Sequence, residues 1–575
     1  MKKFNVVWIM IDSVRRYHTQ GDDRSRLCYM DEFAKEGVEF LNCVTSAPST
    51  LMSVSATLTS LPSYYLGRNY KDFQFDTDYF NSLTSILKKN NFKTDRSFIM
   101  HPLVRQKLKQ FDLVPKKLWP SGLSHKDWFC NDDINSMFHS VLKNEKKQKN
   151  KNPSFWFIDY NCRNDENISD IVKNTIESLD DAGYNKNNTI LMVSSDHGYP
   201  DPRRGITAEK LKQKKMPHDV FMTDDNIMIP LIVRYPGCIP GTKINNTIST
   251  LDVMPTILDI LDINIPESIK NSFHGLSLLP LINGSKDKKY EDRKIRTDAR
   301  LIDQPGRLTA IRGEKYKYIF HHDNKLEEFV YIGNNDNELI EESIINSKDE
   351  AIQLELQKFR NEFKNTELNA VLSQNKYFAH KLTKNLKNKI KNKTKTRLLL
   401  TGFLNKELLK TVVSELVNKF DNLIIDAVII NSKTTSLAHD NIDSIIYLNF
   451  KNGEILNSNK KLEKLEKYNY LINISNSPGD LEKQAFKNLN TNLKFDKKIN
   501  VSARKSTKTY NSSFVRKLNN LKDHFVILWK NREWYLEEPS MIFKEPLTIL
   551  GLIFKKERRI NGGWKTYKYI PRKLK

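Results

Sequence analysis

Short apolar runs that end in polar, chemically active residues constrain this chain more than any other feature. Phe4–Ile11 is such a run and ends at Asp12, and Thr189–Ser194 is another, closed by Asp196 and His197. Runs this short are typical of strands covered on both sides. Two further runs are Phe155–Ile158 and Met228–Val233, and stretches with helical spacing lie at Met30–Glu36, Phe80–Lys89 and Ile168–Ala182. Strands alternating with helices predict an α/β fold with a mostly parallel sheet.

Ligand-type side chains follow two of these predicted strands. Asp12 ends the first, and Asp196-His197-Gly198 follow a later one. Sites in open α/β sheets gather at the carboxyl ends of the strands. A carboxylate and an imidazole that are adjacent at a strand end can both reach one divalent cation. The alternatives are a helix cap for Asp12 and an ordinary strand-to-loop turn at Gly198.

The character of the sequence changes near residue 375. We predict a catalytic domain over residues 1–375, a basic linker or solvated helix over 376–396, a small α/β domain over 397–500 and a basic, aromatic region over 501–575. The predicted elements of the small domain are strands at Arg397–Thr401, Leu423–Asn431, Ile442–Leu448 and Tyr470–Ser475, with a helix at Lys406–Asn418. The small domain has no glycine-rich dinucleotide fingerprint.

Composition excludes several classes of protein. A hydrophobic content of 39% in 575 residues is ample for a core, and five cysteines without a CxxC pair favour neither a disulfide scaffold nor a structural zinc site. The net charge of +24 fits compositional bias, an anionic substrate or an anionic membrane. No nucleic-acid partner is expected, because no zinc-finger, RNA-recognition or basic-zipper pattern appears.

The first residues do not read as an export signal. Lys2 and Lys3 precede the apolar run, but that run is short, ends in Asp12 and is followed by Arg15 and Arg16. No apolar run is long enough to span a bilayer. We therefore expect a cytoplasmic protein, with peripheral contact at the inner membrane surface as an alternative.

The segment Ser46–Ser60 is rich in hydroxyls and small residues and carries no charge. Its later half has helical apolar spacing, so a hydroxyl can sit at a helix N-terminus, where free amides and the helix dipole stabilise an anion. A threonine or serine bound to a metal has a lowered pKa and becomes a nucleophile. The alternative is a flexible Ser/Thr loop.

This segment resembles the nucleophile motif of sulfatases, a branch of the alkaline-phosphatase superfamily. The family pattern C/S-x-P-S-R is followed nine and ten positions after the nucleophile by T-G. Counting from Thr50 reaches Thr59-Ser60, whereas counting from Ser46 reaches Ser55-Ala56. We therefore assign Thr50 as the nucleophile, with Ser46 as the alternative.

The resemblance continues through ordered blocks over the first 320 residues. These blocks are Val7–Arg16, Val193–Gly198, Phe221–Gly237, Ser249–Leu261, Phe273–Gly284 and Ala310–Ile319. The resemblance implies an alkaline-phosphatase/sulfatase-like sheet with helices on both faces, joined here to a smaller C-terminal α/β domain. It also implies one divalent metal ion (Mn²⁺, Mg²⁺, Ca²⁺ or Zn²⁺) bound by Asp12, Thr50, Asp196 and His197. The imidazole favours Mn²⁺ or Zn²⁺ over Ca²⁺.

The departures from the family pattern are informative. The second acidic residue of the first metal segment is Ser13, the motif arginine is Val54, and no cysteine stands at the nucleophile position. Formylglycine therefore cannot form. The set resembles the single-metal, threonine-nucleophile branch, which includes lipoteichoic-acid synthases and phosphoethanolamine transferases.

Three further residues are candidates for contact with the substrate. The resemblance implies that Lys215 or His218 touches the anion or the leaving group, and an imidazole suits proton transfer at neutral pH. His101 follows an apolar segment and is a second substrate-binding candidate beside Lys215. Asp159 ends a predicted strand, where a helix or turn cap is the favoured reading.

These residues predict a metal-dependent hydrolase of sulfate or phosphate esters. One alternative is a phosphotransferase that modifies a cell-surface glycan or lipid precursor, and another is a catalytically degenerate scaffold. The expected partner is an anionic ester substrate. In the phosphotransferase alternative, this substrate is linked to a glycan or a lipid. There are two alternatives for Ser540–Phe554 and its basic flank. One is peripheral contact with a membrane, and the other is packing of this segment on the second domain. The sequence does not indicate the oligomeric state.

Overall fold

The computed structural model describes most of the first 502 residues. The described ranges are 2–16, 28–66, 80–107, 112–145, 152–162, 168–200, 218–300, 306–332, 343–387, 396–403, 406–420, 423–431, 444–451, 454–456, 468–475 and 495–502. Two predictions lie outside them: the substrate-binding role of Lys215 and the membrane contact of Ser540–Phe554. Contacts divide the chain into two compact units, with the boundary after Thr366.

The first unit is built on a seven-stranded mixed sheet. Its strands are β1 (Asn5–Asp12), β2 (Val38–Val44), β3 (Lys93–Phe98), β4 (Ser154–Asn161), β5 (Thr189–Ser194), β6 (Met228–Arg234) and β7 (Thr242–Ser249). Their spatial order is β3-β4-β1-β5-β6-β2-β7. Only β6 runs against its neighbours, so β1, β2, β4 and β5 all end at the same edge of the sheet. The predicted α/β class is confirmed.

Both faces of the inner strand β1 are buried, which explains its unbroken apolar run. Val7, Ile9 and Ile11 of β1 lie in a core with Phe33 and Phe138, which two helices contribute. The alternate residues of β1 point to the opposite face and are buried as well. A strand covered on both sides gains little from polar residues, so the run stays apolar until the chain leaves the sheet.

Helices and short 3₁₀ turns connect the strands. The helices of the first unit are α1 (Cys28–Ala34), α2 (Thr50–Thr59), α3 (Leu83–Lys89), α4 (Pro102–Lys107), α5 (Asn131–Glu145), α6 (Ile168–Asp181), α7 (Asp224–Ile227), α8 (Val253–Ile260), α9 (Glu267–Lys270) and α10 (Leu279–Ile282). The 3₁₀ helices are Ser63–Tyr65, Lys116–Leu118, His218–Val220, Thr250–Asp252 and Lys288–Tyr290.

A second, four-stranded antiparallel sheet follows in the same unit. Its strands are β8 (Ile295–Ala299), β9 (Leu308–Arg312), β10 (Tyr316–His321) and β11 (Leu326–Tyr331). The block Ala310–Ile319, which resembles a single late strand of the family, therefore covers parts of two strands, β9 and β10. The chain turns back at Gly313, whose amide donates to the carbonyl of Tyr316 at 2.9 Å. The turn itself, Arg312–Lys315, consists of three charged residues and Gly313 and interrupts the apolar pattern.

The second unit has its own sheet and core. Its strands are β12 (Thr396–Phe403), β13 (Leu423–Asn431), β14 (Ser444–Lys451), β15 (Glu454–Leu456), β16 (Tyr468–Ser475) and β17 (Phe495–Ser502), in the order β15-β14-β13-β12-β16-β17. All pairs are parallel except β14 with β15. Helix α12 (Lys406–Lys419) joins β12 to β13 and packs its apolar side into the core.

Residues 376–387 are the last turns of a long helix, α11 (Glu350–Lys387). Near its start, Phe359 packs in a core of the first unit. Near its end, Ala379, Leu382 and Leu386 are buried in the core of the second unit. This part of the predicted linker is thus a packed element. Within the described ranges, no helix is both long and apolar enough to cross a bilayer.

Candidate active site

Three separated segments meet at the shared edge of the large sheet. Asp12 is the last residue of β1, and Asp196 and His197 follow β5. Thr50 is the first residue of α2, which follows β2. All four side chains are buried, with at most 6% of any residue exposed. The strand order therefore brings together all four predicted metal-binding residues.

The ring of His197 is fixed in one tautomer. Its Nδ1 lies 2.6 Å from the carbonyl oxygen of Gly198. Because a carbonyl oxygen only accepts, Nδ1 carries the hydrogen and Nε2 presents a lone pair in the neutral ring. Nε2 lies 3.3 Å from Thr50 Oγ1, 3.3 Å from Asp196 Oδ2 and 3.9 Å from Asp12 Oδ1.

These acceptor atoms form a set that suits a divalent cation. One atom each from Asp12, Asp196 and His197 lies within 4.8 Å of the other two. Asp196 Oδ2 is buried and has no hydrogen-bond partner among the described residues. Burial is the main cause that raises the pKa of the Asp196 carboxyl, and the charge of Asp12 adds to it. A cation here would satisfy the orphaned oxygen and the two carboxylates together.

Main-chain contacts around the cluster hold Asp196 and His197 in place. Ser195 Oγ accepts from the Val14 amide at 3.0 Å and lies 2.7 Å from the carbonyl of Ile11, which ties the segment to β1. The hydroxyls of Thr45 and Ser53 donate to the carbonyl of Asp196 at 2.6 and 2.7 Å. The cluster is therefore built on a fixed backbone rather than on a loose loop.

Ser13 occupies the position where the resembled family carries a second acid. Its hydroxyl donates to Asp12 Oδ1, and its amide donates to Asp196 Oδ1 at 3.2 Å. Its backbone is left-handed, with φ of 70°. Ser13 thus supports the two carboxylates and adds no negative charge of its own.

The structure distinguishes the two nucleophile candidates by their surroundings. Thr50 Oγ1 is within 3.3 Å of His197 Nε2, and the Thr50 hydroxyl acts to lower the pKa of the Asp196 carboxyl. Ser46 is buried, and its hydroxyl has no hydrogen-bond partner among the described residues. The Ser46 main chain instead bonds the amide of Asp298 at 3.0 Å and the hydroxyl of Thr250 at 3.2 Å. Val54 is buried in α2, so no cation takes the place of the motif arginine there.

His218 joins the site from a different segment. Its Nε2 lies 3.3 Å from His197 Nε2, and the two rings are 4.6 Å apart. Because His197 Nε2 presents a lone pair, His218 Nε2 carries the hydrogen in this contact as long as no cation is bound to His197. The side-chain amide of Asn226 donates to the His218 carbonyl at 2.9 Å and fixes the segment.

His101 and Asp159 lie beside the cluster. Asp159 Oδ2 accepts from the amides of Met100 and His101 at 3.1 and 3.4 Å, so Asp159 holds the end of β3 instead of capping a helix. Burial, with the charges of Asp12 and Asp196, raises the pKa of the Asp159 carboxyl well above its ordinary value. Burial lowers the pKa of His101 to about 4.

Several supporting residues escaped prediction. Thr45, Ser53, Ser195 and Asn226 fix the backbone of the site, yet each is a common residue type with no ligand motif. The only signal is local: Ser195 immediately precedes the Asp-His pair, and Ser53 lies one helical turn after Ser49. Such residues become recognisable only once the strand order is known.

Two family models match this chain. The model described as Sulfatase matches residues 4–158 and 124–263, and the model described as N-sulphoglucosamine sulphohydrolase, C-terminal, matches residues 217–366. Over these matched residues, the chain belongs to the sulfatase family. The predicted resemblance to this branch of the alkaline-phosphatase superfamily is confirmed. The threonine variant stays a prediction.

Curated sulfatases align over parts of the chain. An ulvan-active sulfatase of Formosa agariphila is 23% identical over 354 residues, 55% of this chain and 66% of the relative. Human N-acetylglucosamine-6-sulfatase is 25% identical over 38% of each chain. Arylsulfatase K of Xenopus laevis is 30% identical over 20% of this chain and 18% of its own. This sulfatase-family chain thus spans less than two thirds of each of these relatives.

Solved structures include distant matches. A phosphonate monoester hydrolase from Silicibacter pomeroyi is 14% identical, with a TM-score of 0.47, over 63% of this chain and 96% of its own. A phosphonate monoester hydrolase of Agrobacterium radiobacter is 14% identical, with a TM-score of 0.45, over 64% of this chain and 95% of its own.

Proposed function

We propose that the first unit hydrolyses sulfate or phosphate esters through a covalent intermediate on Thr50, with one divalent cation held by Asp12, Asp196 and His197. One observation carries the proposal: the Thr50 hydroxyl lies 3.3 Å from His197 Nε2, inside the buried cluster. The match to the family model described as Sulfatase supports the ester class. The proposed ligands include an imidazole, and Ser13 takes the place of an acid that would add negative charge. Both features favour Mn²⁺ or Zn²⁺ over Ca²⁺.

The cation, when bound, would lower the pKa of the Thr50 hydroxyl and neutralise an ester oxygen. The residues of the chain supply the rest of the chemistry. Thr50 Oγ1 belongs to the first residue of α2, and its proton passes to the Asp196 carboxylate, whose Oδ2 has no hydrogen-bond partner among the described residues. Ser49 makes no side-chain cap, and the N-terminal dipole of this ten-residue helix favours an anion beside Thr50.

The proposed steps balance in bonds and protons. Thr50 Oγ attacks sulfur or phosphorus, a bond to Thr50 forms, and the bond to the leaving alcohol breaks. The leaving oxygen takes the hydrogen from His218 Nε2. Water then gives its proton to His218 and attacks the same atom, which breaks the bond to Thr50. Thr50 Oγ1 takes back its proton from Asp196, and sulfate or phosphate is released. A second alcohol in place of water would make the enzyme a transferase.

An activity screen with matched hydroxyl variants tests the proposal. The purified full chain is assayed with para-nitrophenyl sulfate, para-nitrophenyl phosphate, a phosphodiester and a phosphonate monoester, each with Mn²⁺, Zn²⁺, Mg²⁺, Ca²⁺ or a chelator. We expect metal-dependent turnover of at least one ester class. Thr50→Ala should lower kcat at least about a thousandfold, and Ser46→Ala should change kcat less than about tenfold.

Three outcomes would contradict this account in different ways. Full activity in Thr50→Ala with loss in Ser46→Ala would show that the nucleophile is Ser46. Full activity in the presence of the chelator would show that catalysis does not need a cation. Absence of stoichiometric metal, together with no turnover of any ester class, would favour the scaffold reading.

A further inference from the structure

An exposed tryptophan lies beside the candidate site. Trp128 has 53% of its surface exposed, although indole rings are usually covered in folded proteins. The ring of Trp128 meets the ring of His101 edge-on, with centroids 4.4 Å apart. Leu103, at 41% exposed, is the second residue of the helix that follows His101. An apolar surface is therefore open to solvent at this point.

Contacts of the residues on both sides of Trp128 hold the segment that carries it. The amide of Phe129 donates to the Met100 carbonyl at 3.4 Å, and the Arg105 guanidinium lies 3.8 Å from the Phe129 ring centroid. Arg105 also donates to the Asp127 carbonyl. The Asp127 carboxylate accepts from the amide and the hydroxyl of Ser124 at 2.8 and 2.6 Å. The segment that carries the exposed ring is therefore held in place.

His101 connects this ring to the candidate active site. The amide of His101 donates to Asp159 Oδ2 at 3.4 Å, and the charge of Asp12 acts on the His101 ring. Helix α4, which follows His101, packs against α2, the helix that presents Thr50. Trp128 therefore lies at the rim of the proposed site, on the side of β3.

We infer that Trp128 is a stacking platform for a sugar ring of a sulfated glycan whose ester enters the site. This inference rests on the proposed function. A rigid indole offers a flat apolar face that matches the C–H face of a pyranose ring. Lys126 is exposed two residues before Trp128, and exposed Lys116 lies over the ring of Trp119, which contacts Phe129; such cations suit the other sulfate groups of the chain.

A comparison of large and small substrates tests this platform. Wild type, Trp128→Ala, Trp128→Phe and the control Leu354→Ala, an exposed apolar residue on α11, are assayed on sulfated oligosaccharides and on the para-nitrophenyl ester. Trp128→Ala should raise KM for an oligosaccharide about tenfold more than for the small ester, Trp128→Phe should raise it less, and Leu354→Ala should match wild type. Equal changes on both substrates would overturn the inference, because they indicate a structural role.

A binding measurement separates this inference from the proposed function. Thr50→Ala and Thr50→Ala/Trp128→Ala are titrated with oligosaccharides of ulvan, carrageenan and heparin, with a desulfated oligosaccharide and with a single-stranded oligonucleotide, and tryptophan fluorescence is followed. We expect a sulfated oligosaccharide to change the emission only when Trp128 is present. This result would support the platform even if no ester were turned over. No response to any sulfated oligosaccharide, or a response to the oligonucleotide alone, would overturn the inference.

Discussion

At the residue scale, the orientation of the His197 ring determines which ligand the site can bind. Its Nδ1 is committed to the Gly198 carbonyl, so Nε2 faces Thr50 and Asp196 with a lone pair. Lone pairs that face one another without a hydrogen between them repel, and a cation removes that repulsion. The Asp-His pair was predictable from its position after a strand. The tautomer was not, because it depends on how the chain turns at Gly198.

The choice between Thr50 and Ser46 shows the limit of motif reasoning at a single residue. Ser46 matches the family letters, whereas Thr50 matches the spacing to the end of the helix. The structure places Thr50 at the first position of α2 and close to His197. Spacing was the better guide here, because a helix fixes the distance between its ends and the letters of a loop do not.

The ring of His101 makes stability depend on pH in a defined window. Burial lowers its pKa from 6.5 to about 4. Between these values the unfolded chain binds a proton that the folded chain does not, so stability rises with pH across the window and is complete above it. His101→Gln should remove part of this rise, on the order of 2 kcal/mol. Urea unfolding of the metal-free protein at pH 4.5 and pH 7.5 measures it, and an unchanged difference would contradict the prediction.

Ser13→Asp should change which cation the site prefers. The left-handed backbone at Ser13, φ 70°, is one that Asp adopts more readily than most residues. A third carboxylate adds a hard oxygen ligand, which favours Ca²⁺ relative to Mn²⁺. We expect Ca²⁺ affinity to rise at least about tenfold relative to Mn²⁺ affinity, as measured by calorimetric titration. Ser13→Ala is the control and should leave the ratio near that of wild type. A ratio that does not change in Ser13→Asp would place this residue away from the cation.

At the scale of elements, the approach of two backbone segments fixes the metal site. A Cβ atom added at Gly198 would lie 2.1 Å from the carbonyl oxygen of Asp225, which is backbone and cannot move aside like a flexible side chain. The amide of Gly198 donates to the Asn226 carbonyl at 2.9 Å and joins the segment to the end of α7. Glycine is therefore required here by space rather than by an unusual φ.

Gly198→Ala should disrupt the site and lower the free energy of unfolding by about 3 kcal/mol or more, since the clash is with backbone. Gly122→Ala is a matched control at φ 81°, where nothing lies within 4 Å of the added Cβ, and should cost about 1 kcal/mol. Thermal unfolding and Mn²⁺ titration of both variants check this. Equal effects of the two substitutions would mean that the close approach at Gly198 relaxes easily.

Elements with simple patterns could be predicted, and hairpins could not. Leu423–Asn431 forms a strand with the bounds that its apolar run predicts. The hairpin of β9 and β10 was missed, because the family block was taken as one strand although Gly313, between charged residues, marks a turn. In the long helix α11, the stretch rich in Lys and Asn conceals Leu382 and Leu386, which pack inward. Composition alone does not reveal which side of a polar helix is covered.

At the scale of the whole molecule, two separate cores predict two unfolding events. The core around β1 and the core around α12 share no residue, and the cation cluster lies in the first unit. A ligand stabilises only the cooperative unit that binds it, by about 2.7 kcal/mol at a hundred times its Kd. Calorimetry of the full chain should therefore show two transitions, and Mn²⁺ should raise one of them. Equal shifts of both, or of neither, would contradict this prediction.

The most direct test asks where the ester group goes during turnover. The full chain and its His218→Ala variant are mixed with the para-nitrophenyl ester that is turned over, quenched in acid and digested for mass spectrometry. A para-nitrophenolate leaving group needs no proton, whereas the attacking water does need a base, so the variant should accumulate the intermediate. We predict one sulfo or phospho group on Thr50 and none in Thr50→Ala. A group on Ser46, or turnover with an unmodified Thr50 segment in both proteins, would contradict the account.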